Sequence, residues 1–83
     1  MTEFVLYSRS YCHLCDDMLA ALRALGGEYP FTVEVVDVDA DPALVALYDE
    51  LVPVLVGMRQ GAMEQLCHYF IDEVRVRAYL AAA

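Results

Sequence analysis

Two cysteines three positions apart, in Cys12-His13-Leu14-Cys15, stand between a short β-rich run, Phe4-Val5-Leu6-Tyr7, and a stretch of helical periodicity. That placement constrains the fold more than any other feature of the chain. The polar Ser8-Arg9-Ser10 ends the first run, which reads as a strand followed by a loop. From Leu14 the apolar residues Leu14, Met18, Leu22 and Leu25 fall four, four and three apart, with Ala21 on the same side. Asp16, Asp17 and Arg23 lie elsewhere, so an amphipathic helix begins at the cysteines. Gly26-Gly27 marks its predicted end, where a left-handed C-terminal residue is cheap only for Gly.

Phe31 to Val38 is rich in β-branched residues, with Phe31, Val33 and Val35 on one face and Val36 and Val38 on the other. This predicts a strand buried within a sheet. Two strands joined through a helix form a βαβ unit, with parallel strands and a right-handed crossover. Asp41-Pro42 has the form of an N-cap followed by Pro at the first helical position. Leu44, Val45, Tyr48 and Leu51 continue at helical spacing, which predicts a second helix ending near Glu50. Val54 to Met58 and Ala62 to Tyr69 flank Arg59-Gln60-Gly61 and read as a hairpin, with Gly61 supplying the turn dihedral. Asp72 is the N-cap of a last helix running toward Leu80. The order is βαβαββα, a single α/β domain over residues 1–83 with no internal linker.

A chain of 83 residues buries only about 60 to 65% of its unfolded surface, so everything must serve one core. Its longest apolar stretch, Leu51 to Met58, is far short of the roughly 20 residues a membrane helix needs. Met1-Thr2-Glu3 leads directly into the first strand, without a basic region or secretory apolar block. A cytoplasmic protein with no membrane association is the expectation. Five Arg, no Lys and thirteen acidic residues give a net charge of −8. Such a surface repels phosphate backbones over a screening length of about 8 Å, which argues against nucleic acid as a partner.

Three cysteines do not make a disulfide framework, whereas one close pair plus Cys67 suggests redox chemistry or metal. Helical positions i and i+3 carry Cβ atoms roughly 5 to 6 Å apart, so Cys12 and Cys15 can close a disulfide with small local adjustment. Cys12 falls at the helix N-terminus, where unpaired N–H groups and the positive end of the dipole favour a thiolate. Cysteines in such settings titrate at roughly 3.5 to 7.5 rather than about 8.5, which makes Cys12 the nucleophile and the more covered Cys15 the resolving thiol. Asp16 and Asp17 place negative charge nearby, and Arg9 offers a compensating cation. Half a zinc site has the same Cys-x-x-Cys spacing. The strand before, the helix after and the βαβ setting favour redox thiols over metal.

Tyr7-Ser8-Arg9-Ser10-Tyr11-Cys12-His13-Leu14-Cys15 resembles the Tyr-Thr/Ser-Lys-x-x-Cys-Pro-Tyr-Cys segment of the glutaredoxins, and Val52-Pro53-Val54-Leu55 resembles their Val-Pro-x-x segment. The likeness covers nearly the whole chain and is closest to the short bacterial glutaredoxin-like proteins. It implies a thioredoxin-like fold, a four-stranded mixed sheet with helices on both faces. It also implies a cis Val52-Pro53 bond whose preceding backbone pairs with bound glutathione or substrate. By the same matching Arg9 stands for the family's Lys and would hold the anionic end of glutathione, with Asp72 either the family's acidic residue there or simply a helix N-cap. The chain departs from the pattern at His13-Leu14, where the family has Pro-Tyr, and at Tyr69-Phe70-Ile71, where it has Gly-Gly.

The function that follows is a thiol–disulfide oxidoreductase, with Cys12 and Cys15 catalytic and with Arg9, Val52, Pro53 and Asp72 binding substrate or glutathione. His13 would tune the pair through its charge. No metal or resident cofactor is expected, with glutathione as co-substrate. The partner is a disulfide-containing protein or small-molecule thiol, met by a monomer. The alternatives are an iron–sulfur or metal carrier using Cys12 with an external thiol in a dimer, and a non-catalytic binding module on the same scaffold. Cys67 reads as a small buried hydrophobe, His68 as a residue alternating to the other face, and Tyr11 as a rim or loop aromatic.

Overall fold

Thr2–Ser8 forms β1, whose Phe4, Val5 and Leu6 are all buried, so this strand needs cover on both faces and neighbours on both edges. The computed structural model, which describes residues 1–82, gives it both; Ala83, the last residue of the predicted domain, lies outside the described residues. β2 (Phe31–Asp37) lies parallel to β1 on one side, and β3 (Val54–Arg59) antiparallel on the other. β4 (Ala62–His68) pairs antiparallel with β3, which completes a four-stranded mixed sheet in the order β2-β1-β3-β4.

The helices are α1 (His13–Ala24), α2 (Pro42–Tyr48) and α3 (Glu73–Ala81), so the βαβαββα order holds. On one face Phe4, Leu6, Leu55 and Leu66 pack with Met18 and Leu22 of α1 and Val76 and Leu80 of α3. On the other face α2 meets the sheet, with Tyr48 stacked on Tyr7 at a ring separation of 4.5 Å. Asp41 accepts from Ala43 N–H at 2.9 Å and Asp72 from Arg75 N–H at 3.1 Å, so both predicted side-chain caps form.

Three sequence expectations need correction. β2 is an edge strand rather than one buried within the sheet, and Val35 on it is 47% exposed. The β-branched run carries the charged Glu34 and Asp37, which an edge tolerates better than a centre. Val38, assigned above to that strand, sits fully buried in a 3₁₀ turn, Val38–Ala40. Neither Gly26 nor Gly27 is left-handed; α1 tightens into a 3₁₀ turn over Leu25–Gly27, whose first residue, Leu25, is kept in the core.

Strand β4 carries an irregularity that strict alternation misses. Leu55 pairs with Cys67 but Val56 pairs with Gln65, so Leu66 is the extra residue of a β-bulge. Leu66 and Cys67 consequently both pack on the α1/α3 core, although they are sequence neighbours. At the other end of the hairpin Gln60 (φ 53°) joins Gly61 (φ 79°) in the left-handed region, the pair of dihedrals that a two-residue turn between Arg59 and Ala62 requires.

Gly57 is needed for close approach, because a Cβ there would overlap the Tyr79 ring, which is in turn covered by the Arg59 guanidinium 4.0 Å from its centroid. Gly57→Ala should lower stability by about 1 to 3 kcal/mol through this overpacking, read as a lower urea midpoint at unchanged slope. Gly27→Ala, with nothing within 4 Å of the added methyl, should change stability by no more than about 0.5 kcal/mol.

Candidate active site

Sheet register gathers the candidate residues at one end. Ser8 pairs with Asp37 and Tyr7 with Val54, while Val54 pairs with His68. The loop leaving β1, the residues after β2, the loop entering β3 and the segment leaving β4 therefore share one end of the sheet. Tyr69 N–H continues the hairpin by donating to the Pro53 carbonyl at 3.0 Å. The Val52-Pro53 bond is cis and Pro53 is buried.

At that end Cys12 is the N-cap of α1 and Cys15 lies in its first turn, the two joined as a disulfide with Cα atoms 5.2 Å apart. Cys15 N–H donates to Cys12 Sγ at 3.1 Å, and Cys12 carbonyl accepts from Asp16 N–H at 3.1 Å. The sulfur thus occupies the position an N-cap oxygen takes, against one of the helix's otherwise unpaired donors. Cys15 is 2% exposed whereas Cys12 is only half-buried, so an incoming disulfide meets Cys12 first. His13, the first residue of α1, is exposed, as are Asp16 and Asp17.

Among the remaining candidates Arg9 and Val52 are engaged within the chain, while Asp72 takes its expected N-cap place. Arg9 is engaged by two carboxylates, reaching Asp39 through Nε (3.2 Å) and Nη2 (2.9 Å) and Asp49 through Nη2 (2.8 Å). Its charge is therefore directed at these acids, rather than free to offset Asp16 and Asp17. The signal for this was present, since Arg9 follows β1 and Asp39 follows β2, and parallel strands end side by side. Val52 N–H is donated to the Tyr48 carbonyl at 3.1 Å, so that donor is already used. Asp72 serves as the N-cap of α3. Burial pushes the half-buried Cys67 thiol up from its ordinary range, outweighing the backbone hydrogen bond at Asp72. Among the described residues no three His, Cys, Asp or Glu side chains gather to hold a metal ion, and no helix is long and apolar enough to cross a membrane.

Two features of the site carried no sequence signal. Tyr11 (φ 58°), directly before Cys12, and Tyr69 (φ 62°), bonded to Pro53, both have left-handed backbones. For an aromatic residue this is a strained conformation.

The model of the glutaredoxin-like domain (DUF836) matches residues 3–81. A protein from Nitrosomonas europaea, solved by solution NMR, is 40% identical to this chain over 95% of it and 91% of its own length, with a TM-score of 0.85. A protein from X. campestris is 38% identical over 96% and 97% of the two chains, with a TM-score of 0.66. The oxidized thioredoxin O2 of Arabidopsis thaliana shares the fold at 21% identity, over 99% of this chain and 74% of that one (TM-score 0.71). No curated protein matches the chain. This thioredoxin-like fold and the Cys12–Cys15 pair support a redox thiol function in general.

In the fully reduced protein, alkylation by iodoacetamide should follow the order of exposure and thiolate character. Cys12 should react with a rate–pH midpoint below the free-thiol value of about 8.5. The 2% exposed Cys15 should react only slowly and the half-buried Cys67 increasingly only as the pH rises above the ordinary cysteine range, as peptide mass spectrometry can read; a Cys12 midpoint at or above the free-thiol value contradicts this electrostatics.

Proposed function

This chain belongs to the glutaredoxin-like domain family (DUF836), and from that footing we propose that it is a thiol–disulfide oxidoreductase with Cys12 as nucleophile and Cys15 as resolving thiol. The supporting observation is the Cys15 N–H donated to Cys12 Sγ at 3.1 Å, at the start of α1. On reduction the same donor faces the sulfur that bears the charge, and a charge-assisted hydrogen bond is roughly twice as strong as a neutral one. Asp16 and Asp17 oppose this from exposed positions, where solvent screens them.

The reduced protein begins as a Cys12 thiolate and a Cys15 thiol. Cys12 Sγ attacks one sulfur of a substrate disulfide, forms a mixed disulfide with it and releases the other sulfur as a thiolate. Cys15 loses its proton to solvent and attacks Cys12 Sγ, which closes the internal disulfide and releases the second substrate thiolate. Two electrons have passed from the cysteine pair to the substrate. Two external thiols, glutathione being chemically adequate, renew the pair: the first attacks Cys12 Sγ and releases Cys15 as a thiolate that takes a proton from solvent, and the second attacks the resulting mixed disulfide, leaving as the oxidised disulfide and freeing the Cys12 thiolate. The chain acts as a monomer in a reducing compartment such as the cytoplasm, on a protein disulfide or a small-molecule mixed disulfide.

Reduction of insulin or of an aromatic disulfide tests the roles separately. Cys12→Ser should fall to the uncatalysed rate. Cys15→Ser should instead accumulate a covalent adduct between Cys12 and substrate, visible by intact mass and released by dithiothreitol. Undiminished turnover in Cys12→Ser would refute the assignment.

A further inference from the structure

A shallow cleft of ≈ 200 Å³ runs beside the redox pair, between α1 and the segment joining β4 to α3. Leu14, Met18, Ala21, Tyr69, Phe70 and Ile71 line it together with the exposed Asp17. Leu14 lies between the two cysteines, so the cleft starts at the redox loop itself. Phe70 is 70% exposed, Tyr69 40%, and Tyr11, directly before Cys12, fully exposed. An apolar surface concentrated at a reactive site marks a place where something binds. The local backbone holds it open: the left-handed Tyr69 is pinned by its N–H to the Pro53 carbonyl and by its hydroxyl to the Glu50 carbonyl. Phe70 N–H in turn donates to the His68 carbonyl at 2.7 Å.

Charge decides which molecule fits. Arg9 is taken by Asp39 and Asp49, Arg75 by Glu64, and Arg77 by Glu28 and Glu73. Arg59 donates to the Tyr79 carbonyl at 2.6 Å and covers that ring. Arg23 lies in the last turn of α1, eleven residues and so about 16.5 Å along the helix from Cys12 at ~1.5 Å per residue. Among the described residues, then, no arginine lines the cleft, while Asp17 does and Asp16 precedes it. Glutathione brings two carboxylates and one ammonium, and meets like charge here. A basic peptide meets opposite charge and gains its encounter rate from the net −8 of the chain.

We propose that this cleft docks a polypeptide substrate, seating an apolar side chain next to its disulfide-bonded cysteine against Leu14, Met18 and Phe70, with an adjacent Lys or Arg facing Asp17. The chain therefore discriminates in favour of basic-apolar protein disulfides and against glutathione disulfides. This rests on the oxidoreductase reading above and narrows its substrate. The chemical step is unchanged: Cys12 Sγ bonds the peptide sulfur, and the electron pair of the broken S–S bond leaves on the other thiolate.

The test uses the pre-reduced protein and four probes, each a mixed disulfide with 2-nitro-5-thiobenzoate whose coloured thiolate is released in the first step. The thiol partners are the peptides Lys-Leu-Cys and Glu-Gly-Cys with blocked termini, glutathione, and 2-mercaptoethanol as the reference for intrinsic reactivity. Relative to that reference, Lys-Leu-Cys should react about tenfold faster than Glu-Gly-Cys and than glutathione, the scale of one partly buried apolar side chain and one favourable charge pair. Phe70→Ala and Asp17→Asn should each reduce the preference for Lys-Leu-Cys over Glu-Gly-Cys, and the part lost in Asp17→Asn should be the part that fades with added salt in the unaltered protein. Ratios unchanged in both variants, or glutathione reacting as fast as Lys-Leu-Cys, would overturn the docking proposal while leaving the oxidoreductase intact. Failure to react faster than Cys12→Ser even with the mercaptoethanol probe would overturn the oxidoreductase reading and the docking proposal with it.

Discussion

Pairing of β1 on both edges, parallel to β2 and antiparallel to β3, is the constraint from which the site follows. A parallel partner must be reached by a crossover, which puts α1 and its N-terminus directly after β1. An antiparallel partner on the other side brings the start of β3 to the end of β1, so Pro53 arrives where the Cys12 loop leaves the sheet. The hairpin then returns the end of β4 to the same place, with Tyr69 bonded to Pro53. Burial of Phe4, Val5 and Leu6 holds the arrangement, each such side chain contributing about 1.5 to 3 kcal/mol on transfer from water.

Much of this was legible because local signals and the global fold agree. The two side-chain caps, Asp41 with Pro42 and Asp72, announce α2 and α3 by residue types favoured at a helix start when a helical apolar pattern follows. The cis Val52-Pro53 bond was legible only through resemblance, since a Pro by itself states no isomer. What could not be read depends on tertiary position. β2 has apolar β-branched residues on both faces as an inner strand would, but Glu34 and Asp37 among them suit the edge to which the crossover and the hairpin assign it. The bulge at Leu66 breaks the period-two rule within one strand, so Leu66 and Cys67 both reach the core. Arg9 reads as a cation available to the site, and only the juxtaposed ends of β1 and β2 reveal that two carboxylates already hold it.

That triad changes how the charges of the site are understood. Arg9 spans Asp39 after β2, Asp49 after α2 and the Asp49 carbonyl (3.4 Å), so it ties together three chain segments at the sheet's end. A surface ion pair is worth only about 0 to 1 kcal/mol, but the two-pronged contact with Asp39 fixes geometry as well as charge. Arg9 thus positions the loop that leads to Cys12. Stabilisation of the reduced sulfur falls to α1 itself, through a donor 3.1 Å away that lies too close for salt to screen, whereas exposed carboxylates are screened within about 8 Å.

Strain at Tyr11 and Tyr69 completes the same logic. A left-handed aromatic residue costs of order 1 to 3 kcal/mol, a sizeable fraction of the 5 to 15 kcal/mol typical of a whole domain. Tyr69 is held in that state by hydrogen bonds to two carbonyls of the α2–β3 loop, those of Glu50 and Pro53. The residue that follows, Phe70, is left exposed beside Leu14 in the cleft. Apolar surface kept open by strained backbone, next to the half-buried one of two unequal cysteines, is an arrangement that core packing alone does not favour. Under the docking proposed above, a substrate's apolar side chain would cover that surface as its disulfide approaches Cys12.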